Sequence, residues 1–144
     1  MGGSARWIAS GLGCGFSPKA PGTVGSAVAL AIGAGLWVAS PWLVAFAAAV
    51  ATVLGIWAIR QVRSGDAGWI VIDEFAGQWI AMLGMASLSW PWLLAAFALF
   101  RLFDIWKPGP VGWADRWHTP AGVMADDIVA GAMAAAVLVV VRLV

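Results

Sequence analysis

Five runs of apolar residues, separated by short polar or proline-containing breaks, organise most of the chain. The first extends from about Val24 to Ala39 and stops at Ser40-Pro41, because proline disfavours helix in the residue before it. The second, about Trp42–Val62, ends in the polar loop "RSGDAG". The third, about Trp69–Ala86, breaks at "SLSWP", and the fourth, about Pro91–Trp106, leads into the long loop "KPGPVGWADRWHTPAG". The fifth is about Val123–Val144. Ahead of them, residues 1–23 are rich in Gly, Ser and Pro and accommodate a short helix near Arg6–Leu12, followed by the loop "GFSPKAPGT". A membrane span takes about 20 residues, with a range of roughly 17–25. Only the second and fifth runs meet this comfortably. The other three are short, and the fourth has only ten residues, Pro91–Phe100, before Arg101. Such segments must tilt, end shallow, or be enclosed by their neighbours. The pattern predicts an all-α integral membrane bundle of about five membrane-embedded helices plus a short N-terminal helix, with residues 1–144 forming a single domain.

Composition strengthens the membrane assignment. The chain is 62% hydrophobic and 10% charged, whereas a soluble domain is roughly 25% charged. It has 11 Trp and no Tyr, and Trp is favoured where a ring must sit between lipid tails and water. The single Cys14 excludes an internal disulfide and a thiolate metal cluster. A net charge of +1 points to no polyanionic partner such as nucleic acid. The N-terminus lacks a basic stretch running directly into an apolar one, so no cleaved signal peptide is expected.

Charge placement is more informative than charge number. If the five segments alternate across the bilayer, one side receives the N-terminal region, the 63–69 loop and the 107–122 loop. With the adjoining helix ends, that side holds all seven acids: Asp66, Asp73, Glu74, Asp104, Asp115, Asp126 and Asp127. It also holds seven of the eight bases: Arg6, Lys19, Arg60, Arg63, Arg101, Lys107 and Arg116. The opposite side has uncharged turns and Arg142. The bias of Lys and Arg toward cytoplasmic loops makes the charged side cytoplasmic, at the depth of the inner headgroups.

Acids within membrane segments are rare and mark function when they face the bundle interior. Asp73 and Glu74 lie inside the third segment, Asp104 near the end of the fourth, and Asp126 and Asp127 at the start of the fifth. Helix capping is a competing explanation for the two doublets, although the third segment is expected to begin a turn before Asp73. It does not explain Asp104, whose anion opposes the dipole at a helix C-terminus; there the competing explanation is an ion pair with Arg101, three residues earlier. Five carboxylates brought together repel unless a cation compensates. Hard oxygen ligands, with one His and no Cys cluster, point to Mg²⁺, with Mn²⁺ or Ca²⁺ as alternatives. His118 is the sole imidazole and is expected in a solvated loop.

The cations suggest what such a metal would meet. Lys19, Arg101 and Lys107 share the acidic face, and "SPKAPGTVGS" adds Ser17, Gly22, Thr23 and Gly25 in a loop opening a helix, a natural anion site. At the inner headgroups, an anion of this kind is most simply a lipid phosphate. Small residues (Gly77, Ala81 and Gly84; Ala130, Gly131, Ala134 and Ala135) are expected to let helices pack closely. Gln78 is placed to bond either Glu74 or a neighbouring helix. Several phosphatase chemistries are excluded. Cys14 has no Cys-x5-Arg cradle, there is no Asp-x-Asp pair, one His cannot serve a two-histidine mechanism, and the Asp-rich pattern of the CDP-alcohol phosphotransferases is missing. Metal-activated water remains. A small transporter using intramembrane acids as a relay is the alternative, but a relay would place acids at mid-depth or on both sides.

Four stretches in order, "SPKAPGTVGS" (17–26), "VIDEFAGQWIA" (71–81), "FRLFDIWKPGP" (100–110) and "GVMADDIVAG" (122–131), resemble the phosphatidylglycerophosphatase A family over about residues 11–135. The resemblance implies an all-helical, Mg²⁺-dependent hydrolase of the bacterial inner membrane. It would remove the terminal phosphate of phosphatidylglycerophosphate, taken from the inner leaflet, to give phosphatidylglycerol. The family's acidic positions fall on Asp66, Asp73, Glu74, Asp104, Asp115, Asp126 and Asp127, and its basic ones on Lys19, Arg101 and Lys107. Glu74, Asp104, Asp126 and Asp127 are then the expected metal ligands, and Asp73 a further ligand or the base that orients water. Lys19, Thr23, Arg101 and Lys107 are the expected phosphate-binding residues, with Asp66, Asp115 and Ser17 in supporting positions. Gly109, and the loop "DRWHTPAG" at 115–122, depart from the family pattern in a region that bears on substrate fit.

Overall fold

The computed structural model describes residues 2–63 and 67–144. Seven α-helices follow in order: α1 (Gly2–Ala9), α2 (Pro21–Ala39), α3 (Pro41–Val62), α4 (Ile72–Met82), α5 (Trp90–Trp106), α6 (Gly109–Asp115) and α7 (Pro120–Leu143), with a single 3-10 turn at Cys14–Phe16. No strand occurs among the described residues.

Proline opens the long helices. Pro21, Pro41, Pro91 and Pro120 all fall in the first two helical positions, where the missing N–H has no helical partner to lose. Two of these starts are also capped. The Ser40 hydroxyl accepts from Trp42 N at 3.2 Å, and the Thr119 hydroxyl accepts from Gly122 N at 3.0 Å. Starting at Pro21 rather than Val24 gives α2 19 residues. Among the described residues, the helices long and apolar enough to span a membrane are therefore three: α2, α3 and α7. The outward faces of these helices carry exposed Val38, Phe46, Val53 and Val140, apolar surface that a lipid environment explains. Trp42 and Trp90 are exposed at one end of the bundle, Trp106, Trp113 and Trp117 at the other, as expected for rings at two interfaces.

The third apolar run is not the 18-residue segment that hydropathy outlines. Its helix, α4, has 11 residues, about 16 Å of rise, roughly half a hydrocarbon core. Nine of those residues are buried, and α4 packs against α2, α3, α5 and α7 at once. It is the enclosed central helix, which is how so short a segment avoids lipid. Trp79 ties it to α2 by donating from Nε1 to the Ala29 carbonyl at 2.7 Å. Glycines set its approach to α7. A Cβ at Gly131 would land on the Gly77 carbonyl, and one at Gly77 would land on the Phe100 ring and the Asp127 carbonyl. The predicted small-residue contact therefore exists, backbone against backbone. At the end of the bundle where Asp73 lies buried, α5 stops at Lys107, whose left-handed backbone (φ 54°) turns the chain into α6. At the opposite end Arg142 Nη1 donates to the Met85 carbonyl at 3.2 Å.

Candidate active site

The start of α2, the start of α4, the end of α5 and the first turns of α7 meet at one end of the bundle. Gly22 marks how closely. A Cβ there would lie 2.7 Å from Glu74 Oε1 and 3.4 Å from both terminal nitrogens of Arg101. The loop before α2 thus enters the same site as α4 and α5, and a glycine is what lets it.

Five carboxylates gather here. Oxygens of Asp73, Asp126 and Asp127 lie within 4.8 Å of one another, and so do oxygens of Glu74, Asp104 and Asp127. Asp127 belongs to both groups. Asp73, Asp104, Asp126 and Asp127 are buried, and Glu74 is half-buried. Two cations flank them. Arg101 pairs closely with Asp104 and lies 4.0 Å from Glu74 Oε1. Lys107 Nζ sits 2.8 Å from Asp126 and 3.1 Å from Asp115. Partial burial would lower the Lys107 ammonium's pKa, but the hydrogen bond and charge of Asp126, joined by Asp115, raise it above its ordinary value. Slight burial pushes the Asp115 carboxyl up, yet the hydrogen bond from Lys107 outweighs this and holds it below its usual range. Lys107 is therefore a fixed positive bridge between α6 and α7.

The local structure separates function from capping. Thr119 caps α7, and Asp126 and Asp127 lie nearly two turns further in, so neither carboxylate is a cap. Asp73 and Glu74 differ from expectation in the other direction. α4 begins at Ile72, which puts both in its first turn, where the helix dipole favours an anion. Asp73 Oδ1 accepts from Glu74 N at 3.0 Å, as Asp126 Oδ1 does from Asp127 N at 2.9 Å. Arg101–Asp104 is indeed an ion pair, but it is part of the larger cluster.

These groups are not mutually satisfied. Glu74 Oε2 and Asp127 Oδ2 are buried without a hydrogen-bond partner, and so is Arg101 Nε. An uncompensated buried anion is strongly unfavourable, and five carboxylates face two cations. An all-oxygen donor set with orphaned, buried carboxylate oxygens fits a hard divalent cation. Gln78 matches neither expected role. It is fully buried one turn beyond Glu74, with both amide atoms unpartnered.

The remaining expected residues are placed less decisively. Lys19 and Thr23 are exposed on the loop and first turn that Gly22 brings to the site. The Ser17 hydroxyl donates to the Lys19 carbonyl at 2.9 Å, shaping that loop. Asp66 lies outside the described residues. Beside Asp126 opens a cavity of about 370 Å³, lined in part by Arg60, Arg63, Asp115, Trp117 and His118. Sequence reasoning had Arg60 and Arg63 on the charged side and singled out neither. Their signal was two arginines three residues apart at the end of an apolar helix.

Fold and site together define an all-helical membrane protein whose ionic chemistry is concentrated at one end of its bundle, in a carboxylate cluster flanked by fixed cations. Comparison with known proteins gives that class a family. The family model of phosphatidylglycerophosphatase A matches residues 7–142. The chain belongs to that family, and with it to the phosphatases of phospholipid metabolism. It is 38% identical over 136 residues to phosphatidylglycerophosphatase A of Escherichia coli, covering 91% of this chain and 79% of the relative. It is 46% identical over 78 residues to the Haemophilus influenzae protein of the same name, covering 54% and 48%. A Bacteroides thetaiotaomicron protein provisionally named phosphatidylinositol-3-phosphatase is 39% identical over 145 residues, covering 94% and 91%. No solved structure matches the chain at a significant level.

Proposed function

We propose that this phosphatase hydrolyses the terminal phosphomonoester of phosphatidylglycerophosphate to phosphatidylglycerol and inorganic phosphate, with Mg²⁺ as its metal. The observation that carries the reading is the pair of carboxylate groups sharing Asp127 beside Arg101 and Lys107, in a chain of this family. Glu74, Asp104, Asp126 and Asp127 would hold the metal, with Asp73 alongside. When bound, the cation supplies neutralising charge and Lewis acidity toward water and the phosphoryl group. Arg101, Lys107 and Lys19, with the backbone N–H groups at Gly22–Thr23, bind the phosphate oxygens and oppose the charge that grows on them in the transition state. Asp73 orients the attacking water and accepts its proton. As the water oxygen bonds to phosphorus, the bond from phosphorus to the glycerol oxygen breaks, and that oxygen takes up a proton. The names of the relatives share a lipid phosphomonoester and differ in headgroup; the two named for phosphatidylglycerophosphate favour that substrate.

In this reading residues 1–144 act as one domain of the bacterial inner membrane. Five helices (α2, α3, α4, α5 and α7) are embedded, α4 shielded by the rest. The carboxylate end faces the cytoplasm, where the basic residues of the N-terminal, 60–63 and 107–118 regions also lie, in line with the positive-inside bias. The substrate enters from the inner leaflet with its acyl chains left among lipid. The transporter alternative is disfavoured, because the clustered acids occupy one end and form no relay through the bundle.

The test is phosphate release from phosphatidylglycerophosphate by the purified protein in neutral detergent, with Mg²⁺ and with EDTA. Release that depends on Mg²⁺ supports the proposal. No release in either condition overturns it, and equal release in both removes the metal.

A further inference from the structure

The substrate proposed above carries two phosphates, and the carboxylate cluster accounts for only the terminal one. The cavity next to Asp126 is lined by no residue of α2 or α5. Its walls come from three places: Ile59, Arg60 and Arg63 at the end of α3, Asp115 of α6 with the 117–119 turn, and the first turn of α7 at Pro120–Val123. Its volume, about 370 Å³, falls in the range of small-molecule sites.

The charges of this cavity are arranged differently from those of the cluster. Arg101 and Lys107 are committed to carboxylates. Among the described residues, no carboxylate lies within 4.0 Å of the Arg60 or Arg63 side chain. The acids that also line it, Asp115 and Asp126, are both held by Lys107. The positive end of the 24-residue α7 also opens onto the cavity, adding a fixed partial positive charge. Two guanidinium groups that no described carboxylate engages, a helix N-terminus and the His118 imidazole therefore line a space sharing a wall, Asp126, with the carboxylate cluster. Guanidinium forks are suited to paired phosphate oxygens.

We propose that this cavity is a second anion subsite that takes the phosphodiester of the lipid headgroup while the terminal phosphomonoester lies at the carboxylate cluster. Arg60 and Arg63 are its binding residues, and it selects a phosphomonoester borne on a phosphodiester, a glycerol apart, over one attached directly to diacylglycerol. The inference rests on the function proposed above, and it assigns the departure of the 115–122 loop a role in headgroup fit.

The experiment uses the full chain in neutral detergent and the double variant Arg60→Gln/Arg63→Gln. Both side chains are exposed, so the fold is expected to persist, and an unchanged thermal midpoint checks this. Phosphate release from phosphatidylglycerophosphate is followed with three competitors. Phosphatidylglycerol has the diester alone, inorganic phosphate mimics the monoester alone, and phosphatidylserine carries a diester on a different headgroup. In the double variant, kcat/KM should fall about tenfold or more, as expected for loss of charged hydrogen bonds. Inhibition by phosphatidylglycerol should weaken by a similar factor, while inhibition by inorganic phosphate stays within about twofold. Equal weakening of both inhibitors, or of neither, overturns the subsite. Inhibition by phosphatidylserine, which carries the same diester, should weaken in the double variant in parallel with that by phosphatidylglycerol; inhibition by phosphatidylserine that persists unchanged while that by phosphatidylglycerol weakens also overturns it. Absence of all phosphate release by the wild type would instead remove the function on which the inference rests.

Discussion

Substituting Gly131→Ala tests whether the close crossing of α4 and α7 builds the site. The added methyl would lie 2.9 Å from the Gly77 carbonyl carbon and 3.0 Å from its Cα, and nearer still to its oxygen. All three are backbone atoms and cannot rotate away. Ordinary contact begins near 3.4 Å, so α4 and α7 must part by at least about 0.5 Å even to relieve the carbon contacts. Asp127 lies one turn before Gly131, and Asp73 and Glu74 lie about one turn before Gly77. The same separation therefore opens both carboxylate groups. Sites of this kind tolerate about 0.5 Å of misplacement, and about 1 Å can cost on the order of 100-fold in rate. We expect kcat/KM for phosphate release to fall about 10- to 100-fold and stability to fall by about 1–3 kcal/mol, the range for overpacking. Gly35→Ala is the internal control. It lies in α2 with nothing within 4 Å of the added carbon, so it should leave activity unchanged and stabilise by up to about 1 kcal/mol. Phosphate release and thermal unfolding of the two variants in the same detergent provide the comparison. Full activity and an unchanged midpoint for Gly131→Ala would refute the claim that this crossing positions the acids.

Other substitutions separate the roles of individual groups. Asp127→Asn, at the residue common to both carboxylate groups, should abolish metal-dependent phosphate release, whereas Asp115→Asn on the half-exposed α6 should cost no more than about tenfold. Matched phosphate-release assays decide, and comparable residual activity in the two variants would count against the shared position of Asp127. Thr119→Ala removes the α7 cap and should cost about 1 kcal/mol of stability while kcat of the folded protein is retained; a loss of kcat without a shift in thermal midpoint would give Thr119 a direct role instead. Trp79→Phe removes the indole N–H bond that ties α4 to α2, while the Ala29 carbonyl keeps its own helical partner, and thermal unfolding should register a loss of about 0.5–1.5 kcal/mol.

Much of the fold was legible because lipid makes hydropathy informative. The ends of α2, α3, α5 and α7 fall within a few residues of the predicted runs, each start marked by a proline. α4 was not legible in extent. Residues 69–71 and 83–86 are as apolar as those of a membrane helix, yet they lie outside α4, with Ile70, Val71, Gly84 and Met85 buried against the bundle, and hydropathy cannot distinguish burial in protein from burial in lipid. The site was legible in its residues because acids stand out in an apolar sequence. Its grouping needed the packing: nothing in the sequence makes Asp127 common to two sets, or sends Lys107 to Asp126 and Asp115. Gln78 shows the converse. Its sequence position offered two hydrogen-bonding roles, and the fold realises neither.

Helix polarity explains why this cluster needs compensation from outside the fold. Asp73 and Glu74 sit in the first turn of α4, where the dipole offsets some of their charge. Asp104 lies in the last turn of α5, where the dipole adds to the repulsion. Asp126 and Asp127 are beyond the first turn of α7, where the dipole has largely lost its effect. Arg101 and Lys107 answer Asp104 and Asp126 directly, and Lys107 also serves Asp115. That distribution leaves Asp127 with no cation of its own. It is nonetheless the most buried of the five, has an unpartnered oxygen, and belongs to both carboxylate groups. A group so placed destabilises the bundle unless something positive binds beside it, so the energetic argument and the proposed catalytic argument converge on the same residue.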